Sequence, residues 1–187
     1  MLGRRAFTSK FFKRNITVEY LIPTELITER LVLRIFKEND SRDLHRYYSD
    51  EVCIKYTSGR VLTENESWKE VAVRAGHWIL RGYGPYAIEE KSSGKVIGIV
   101  GLYYPNEWPE PEMTWHLVRS CFGKGYASEG AKAVLKMKKK FLPNMSLISL
   151  IHPENKASIK LALALEARFE KSIAFRNSEW NMYRHKQ

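Results

Sequence analysis

The sequence predicts a mixed α/β (α+β) domain built around one sheet, and three observations predict it. The apolar period switches along the chain: Met113, Trp115 and Leu117 alternate with Thr114 and His116, whereas Ala127, Ala131, Val134 and Leu135 recur at helical spacing. A strand-to-helix unit occurs twice, at 112–131 and at 147–166. The full order reads strand, two helices, three strands, helix, strand, helix, two strands, which suits a single domain on a mixed sheet.

Taken in order, Glu29 to Ile35 alternates, with Leu31, Leu33 and Ile35 on one face, and is a first strand. Asn39 or Asp40 caps a helix carrying Leu44, Tyr47 and Tyr48, and a further turn lies before Gly59. Thr63 and Glu66 form a capping box for a helix from Glu64 to about Leu80, with Trp68, Val71, Ala75, Trp78 and Ile79 on one side. Gly82, Gly84 and Pro85 stop it. Pro85 to Glu90 and Val96 to Leu102 are strands joined by a turn at 92–95. Pro105, Pro109 and Pro111 precede the strand at 112–117. A helix runs from Tyr126 to about Phe141, a strand covers Leu147 to Ile151, and Asn155 caps a helix from Lys156 to Glu166. A last hairpin joins Arg168–Phe175 to Trp180–Arg184 around Arg176, Asn177 and Ser178.

The chain has 187 residues, enough for one domain with a sizeable core. Residues 1–23 read as a basic N-terminal arm, with five basic side chains against Glu19 alone, and 24–187 as the single domain. Residues 1–18 lack acids and faintly resemble an organelle transit peptide; a basic arm is the simpler reading. The net charge of +10 favours an anionic partner: nucleic acid, a membrane surface or a phosphorylated ligand. No apolar run approaches the roughly 20 residues of a membrane span. Cys53 and Cys121 fit neither a disulfide framework nor metal spacing, so a reduced, cytoplasmic compartment is expected. The five histidines show no metal spacing either, and no metal site is expected.

The stretch that carries chemistry is Glu112 to Ala131, read as strand, glycine loop and helix start. Backbone amides at such a loop hold phosphate oxygens. The loop is not the dinucleotide fingerprint, because Ser128 stands at the third glycine position, nor a P-loop, because Tyr126 follows Gly125. Asn155 and Ser158 mark a second helix start at the same sheet edge, and Lys124, Lys156 and Lys160 add positive charge nearby.

Five segments together resemble the GNAT superfamily of acyl-CoA N-acyltransferases, and within it the ribosomal-protein (Rim-type) N-acetyltransferases. They are Thr28–Arg34, Gly98–Leu102, Glu112–Leu117, Phe122–Ala127 and Asn155–Ile159, in the family's order across about residues 25–185. The resemblance implies a mostly antiparallel twisted sheet in which the strands at 112 and 147 run parallel and splay apart into a cleft for acetyl-CoA. The pantetheine arm would pair with backbone groups of Trp115, Leu117 and Val118, with Asn155 as a further contact. The pyrophosphate would lie on Phe122, Gly123, Lys124, Gly125, Tyr126 and Ala127. An acceptor amine, a protein N-terminus or a small molecule, would attack the thioester directly, with Glu112 as general base and Ser158 serving the leaving thiolate. A ribosomal protein is a possible partner; no membrane partner is implied, and nucleic acid is disfavoured.

Three positions depart from the family pattern. Ser120 stands where an arginine or glutamine is common, Ala162 where many relatives carry a tyrosine acid, and Glu166 where glycine ends the helix. Trp108, Trp78 and Tyr83 are candidates to border the acceptor pocket, His116 reads as packed or lining the cleft, and the lysines from 132 to 140 read as a solvated face. A CoA-binding scaffold without catalysis and a basic RNA-binding module are the alternatives; monomer and homodimer are both open.

Overall fold

The computed structural model describes residues 19–186; the basic arm expected at 1–23 falls mostly outside them. Three residues of that expected arm contact the domain, and one of them is buried. Leu21 donates its N–H to the Gly82 carbonyl at 2.7 Å, Tyr20 lies edge-on to Trp78, and Ile22 is buried.

The strands are β1 (Glu25–Ile27), β2 (Leu31–Arg34), β3 (Pro85–Glu90), β4 (Val96–Tyr103), β5 (Glu112–Leu117), β6 (Ile148–Ile151), β7 (Arg168–Phe175) and β8 (Ser178–Arg184). The helices are α1 (Asp40–Tyr48), α2 (Glu51–Ile54), α3 (Glu64–Arg81), α4 (Tyr126–Phe141) and α5 (Lys156–Ala164). All eight strands form one sheet in the order β1-β2-β3-β4-β5-β6-β8-β7. Every neighbouring pair is antiparallel except β5 and β6. The mixed, mostly antiparallel fold expected from sequence is the fold observed. β1 was not anticipated: three residues, mostly exposed, carry too little alternation to read.

Alternation along the strands sorts the helices to two faces. Leu33 and Val100 point to α4, where Gly130 allows close approach. Trp115, opposite Val100 in register, points the same way and reaches α5. On the other face His116 meets Tyr47 of α1, and Tyr103 lies beside Arg74 and His77 of α3.

The capping box forms as expected: Thr63 Oγ1 accepts from the Glu66 N–H, and Glu66 accepts from the Thr63 N–H. Substituting such a cap costs about 1 kcal/mol. The buried face of α3 differs from expectation. Val71, Arg74, His77 and Trp78 are buried, while Trp68 and Ile79 are exposed. The reason is that Arg74 and His77 spend their polar groups on Glu70 and on the Tyr83 carbonyl and Tyr104 amide, which lets them occupy interior positions that apolarity alone assigned elsewhere.

Candidate functional site

β5 and β6 share a single ladder pair, Glu112 with Ile148, and then part. On its other side β5 is fully paired with β4, in register from Tyr103↔Glu112 to Gly98↔Leu117. In an antiparallel ladder only alternate residues turn their N–H and C=O to a given neighbour. Val118 donates to the Ile97 carbonyl at 2.9 Å, so even-numbered residues of β5 face β4. Odd-numbered residues face the gap, and the Pro111 and Met113 carbonyls accept from β6 accordingly. Beyond Met113, the backbone groups of Trp115 and Leu117 line the open edge with no partner among the described residues. This edge offers strand-like pairing to an extended amide-bearing arm.

That parity corrects one expectation. The Val118 amide is spent on Ile97 and its carbonyl accepts from Cys121 at 2.9 Å, so Val118 does not present the open edge that Trp115 and Leu117 present.

At the outer end of the gap, a short turn at Arg119–Cys121 leads into the glycine loop. Gly123 (φ +71°) and Gly125 (φ +82°) adopt the left-handed conformation that side-chain-bearing residues avoid. The consequence is a run of amides, Gly123, Lys124, Gly125, Tyr126, Ala127 and Ser128, that donate to nothing among the described residues; the first intrahelical bond is Glu129 N–H to the Gly125 carbonyl. The loop and the first turn of α4 thus present unpaired donors and the positive end of a helix dipole. Phe122, expected to contribute an amide, donates it to Arg119 instead and leaves its ring half exposed. Arg119 itself is turned to Asp50 at 3.5 Å.

The loop is held from a distance. Arg30 lies over the Tyr126 ring, donates to the Lys124 carbonyl at 2.9 Å and pairs with Glu129 at 2.7 Å. Glu129 also accepts from Thr28 Oγ1 and from the Arg30 amide, and Tyr126 Oη donates to Glu90. This brace was missed in the sequence, since Thr28 and Arg30 lie roughly a hundred residues from Glu129. The only signal was that Thr28 and Arg30 sit in the first motif segment.

At the inner end stands Glu112. Its carboxylate accepts from Trp108 Nε1 at 2.5 Å and from the Leu150 amide at 3.3 Å, across the point where the strands part. The side chain is buried, unlike an ordinary strand-end carboxylate. Burial pushes its pKa up to about 7, against the pull of the Trp108 and Leu150 donors and of Arg176. Trp108 is enclosed by Tyr103 and Phe175 edges, with Arg176 over its ring. Of the three aromatics expected to border an acceptor pocket, only Trp108 lies beside Glu112. Trp78 is fully buried and donates to the Pro85 carbonyl, and Tyr83 is packed on His77.

Glu112, Thr114 and His116 line one face of β5. His116 Nε2 meets Thr114 Oγ1 at 2.9 Å, and its Nδ1 meets Tyr47 Oη at 2.9 Å, which in turn meets Thr57 Oγ1. Burial holds His116 neutral, with a pKa lowered to about 3. It is a packed, hydrogen-bonded residue on the face of the sheet that carries α1 and α3.

On the opposite face Asn155 caps α5 through Oδ1, which accepts from the Ser158 amide at 3.1 Å. Ser158 Oγ accepts from Trp115 Nε1 at 3.1 Å, bridging the gap between β5 and α5. Its own hydroxyl hydrogen has no acceptor among the described residues. α5 ends in a full Schellman pattern, with Ala167 N–H to the Ala162 carbonyl and Glu166 N–H to Leu163, and Glu166 is held left-handed at φ +64°. Lys138, expected on a solvated face, is buried instead and donates to the Pro143 carbonyl. Lys124, Lys156 and Lys160 are exposed. Among the described residues no cluster of acidic, histidine or cysteine side chains has metal-binding geometry, and no helix is long and apolar enough to cross a membrane.

Residues 30–168 match the family described as Acetyltransferase (GNAT) domain. The chain is 30% identical over 156 residues to the uncharacterized N-acetyltransferase p20 of Bacillus licheniformis, covering 82% of this chain and 86% of that one. The crystal structure of a GNAT-family acetyltransferase from Bacillus anthracis is similar with a TM-score of 0.72 and 27% identity, over 86% of this chain and 95% of that one. The fold is also shared, at 19% identity and a TM-score of 0.70, with RimL, a ribosomal L7/L12 alpha-N-protein acetyltransferase in complex with coenzyme A, over 88% of this chain and 96% of that one.

Proposed function

The chain belongs to the GNAT acetyltransferase family, and on that premise we propose that it transfers an acetyl group from acetyl-CoA to a primary amine in the gap between β5 and β6. The residues present fit that donor. The unpaired amides from Gly123 to Ser128 suit its phosphates, the open edge at Trp115 and Leu117 suits its amide-bearing arm, and the Asn155 side-chain N–H groups add a donor at the far wall.

The observation that carries the reading is Glu112, a buried carboxylate at the point where the strands part, with a pKa of about 7. A base works best when its pKa lies near the operating pH. Glu112 takes a proton from the acceptor ammonium or, as nitrogen attacks, from the forming amide nitrogen. The N–C bond forms, the C–S bond breaks, and the Ser158 hydroxyl donates to the departing sulfur. The acceptor approaches from the face of Trp108, Tyr103 and Phe175. RimL, which shares this fold, is named for acting on a protein N-terminus; an N-terminal α-amine and a small-molecule amine are the two acceptor classes for this chain.

The test is CoA release with purified protein across peptide and small-amine panels, comparing wild type with Glu112→Ala. The variant is expected to retain acetyl-CoA binding and to lose turnover by about 10²-fold or more, the scale of general-base catalysis. Unchanged turnover removes Glu112 from the mechanism. Tight acetyl-CoA binding by the wild type with no release across either panel favours a scaffold over an enzyme.

A further inference from the structure

The place where β5 and β6 part is built with more hydrogen bonding than a simple divergence needs. After the Glu112–Ile148 pair, the next rung of a parallel ladder would join the Leu150 amide to the Met113 carbonyl. Neither group makes that bond, yet neither is left bare. The Leu150 amide goes to the Glu112 carboxylate, and the Met113 carbonyl accepts from Ser149 Oγ at 2.7 Å. A carbonyl only accepts, so the single Ser149 hydroxyl hydrogen is committed to it. His185 Nε2 lies 2.9 Å from the same oxygen and must therefore carry the hydrogen between them.

His185 is fixed for this task. It is 3% exposed, follows directly on β8, and its backbone N–H donates to the Leu147 carbonyl at 3.0 Å. Its other ring nitrogen, Nδ1, is buried with no partner among the described residues. A buried, unpaired polar atom costs free energy and calls for an explanation. What the ring contributes here, by hydrogen bonding, is the Nε2–H that orients Ser149.

We infer that Ser149 and His185 are a positioning pair: the Ser149 hydroxyl, aimed by His185, stands in for the missing rung and sets how far the acyl end of the donor penetrates between the strands. With the Met113 carbonyl capped, the first backbone acceptor free on the β5 edge is that of Trp115, so a donor arm pairs from Trp115 outward and stops short of Met113. Removing the cap frees one more acceptor at the vertex and opens the space of one oxygen beside it. The pair touches no reacting atom and acts by holding the strands. The inference rests on acetyl-CoA occupying this gap.

Acyl-chain selectivity tests it, because a merely structural role would lower stability without changing the ratio of two donors. The measured quantity is kcat/KM for propionyl-CoA divided by that for acetyl-CoA, with melting followed by tryptophan fluorescence. Ser149→Ala and His185→Leu are each expected to raise the ratio about fivefold, the effect of one neutral hydrogen bond, while His185→Gln, which keeps a donor, stays within about twofold of wild type. The double variant Ser149→Ala with His185→Leu should gain nothing beyond the larger single change, as expected for one shared device. If Ser149→Ala fails to fold, His185→Leu against His185→Gln carries the same contrast. An unchanged ratio in folded variants overturns the pair, as does equal behaviour of His185→Leu and His185→Gln. A wild type that turns over amines with acetyl-CoA while the ratio stays fixed sinks the pair alone; a wild type that neither binds nor uses acetyl-CoA sinks the donor reading and the pair with it.

Discussion

At its outer end the gap between β5 and β6 is a run of backbone amides on an exposed loop; at its inner end it is a knot of buried side chains. The outer end takes its polarity from peptide groups, so side-chain identity matters little there except where conformation demands glycine. Ser120 shows this: no arginine or glutamine stands at that position, yet the amides from Gly123 to Ser128 remain unpaired among the described residues. The inner end takes its polarity from Trp108 and from the buried Glu112, Ser149 and His185, where one atom changes the chemistry. A peptide amide cannot be tuned by burial, whereas a carboxylate can. Under the proposed reaction, donor recognition falls on backbone and proton transfer on a desolvated side chain.

The strongest way to break this comparison is to titrate the inner end. With Glu112 at about 7 against an ordinary 4.5, kcat/KM should rise with pH through about 7 and level off, and Glu112→Gln should abolish that limb along with most activity. The stability effect has the opposite sign. A carboxyl whose folded pKa is raised binds its proton more tightly when folded, so its contribution is complete below about 4.5 and is lost as pH rises through about 7. Wild type should therefore lose stability relative to Glu112→Gln between pH 5 and 8, on the order of 3 kcal/mol at most. Urea midpoints at both pH values measure it, and parallel pH dependence in the two proteins would return Glu112 to an ordinary carboxylate.

The outer end should respond to whatever sets the loop's conformation, its glycines first and the Arg30 brace second. Gly125→Ala places a Cβ on a left-handed residue, a strain of about 1–2 kcal/mol, and should weaken acetyl-CoA binding by about tenfold while sparing the pH profile. Arg30→Met removes the brace across Lys124 and Glu129 and should raise the KM for acetyl-CoA by about three- to fivefold with kcat little changed, the modest effect of an exposed pair. Isothermal titration and steady-state kinetics separate the two. A kcat defect in either variant would mean that the ends are not independent.

The smallest effect lies outside the gap. Glu166 closes α5 at φ +64° where glycine fits without strain, so Glu166→Gly should stabilise the domain by about 0.5–1 kcal/mol in thermal unfolding and leave activity alone.

Local signals carried most of the fold. The Thr63–Glu66 capping box, the span of α4 and the glycine loop were all legible because each is decided by residues within a few positions of one another. The Asn155 cap was legible for the same reason. Elements whose justification is tertiary were misread or missed. Lys138 and the buried face of α3 were placed by hydropathy, while the folded chain places them by available hydrogen-bond partners. Phe122 and Val118 sat in the right motif, but the direction of a single N–H follows from strand parity and turn closure.

By itself, then, the amino-acid sequence determined the order of elements apart from β1, the loop that must be glycine, and the places of Glu112 at the head of a strand and Ser158 at a helix start, because backbone preference and short spacing are local properties. Only the tertiary structure decided what those residues are. It buried Glu112 against Trp108 and Leu150, joined Ser158 to Trp115, braced the loop with Arg30 and capped Met113 through Ser149 and His185. Apart from Trp108, four residues from Glu112, these partners lie 36 to 94 residues away, and they fix whether a carboxylate is a surface charge or a desolvated acid.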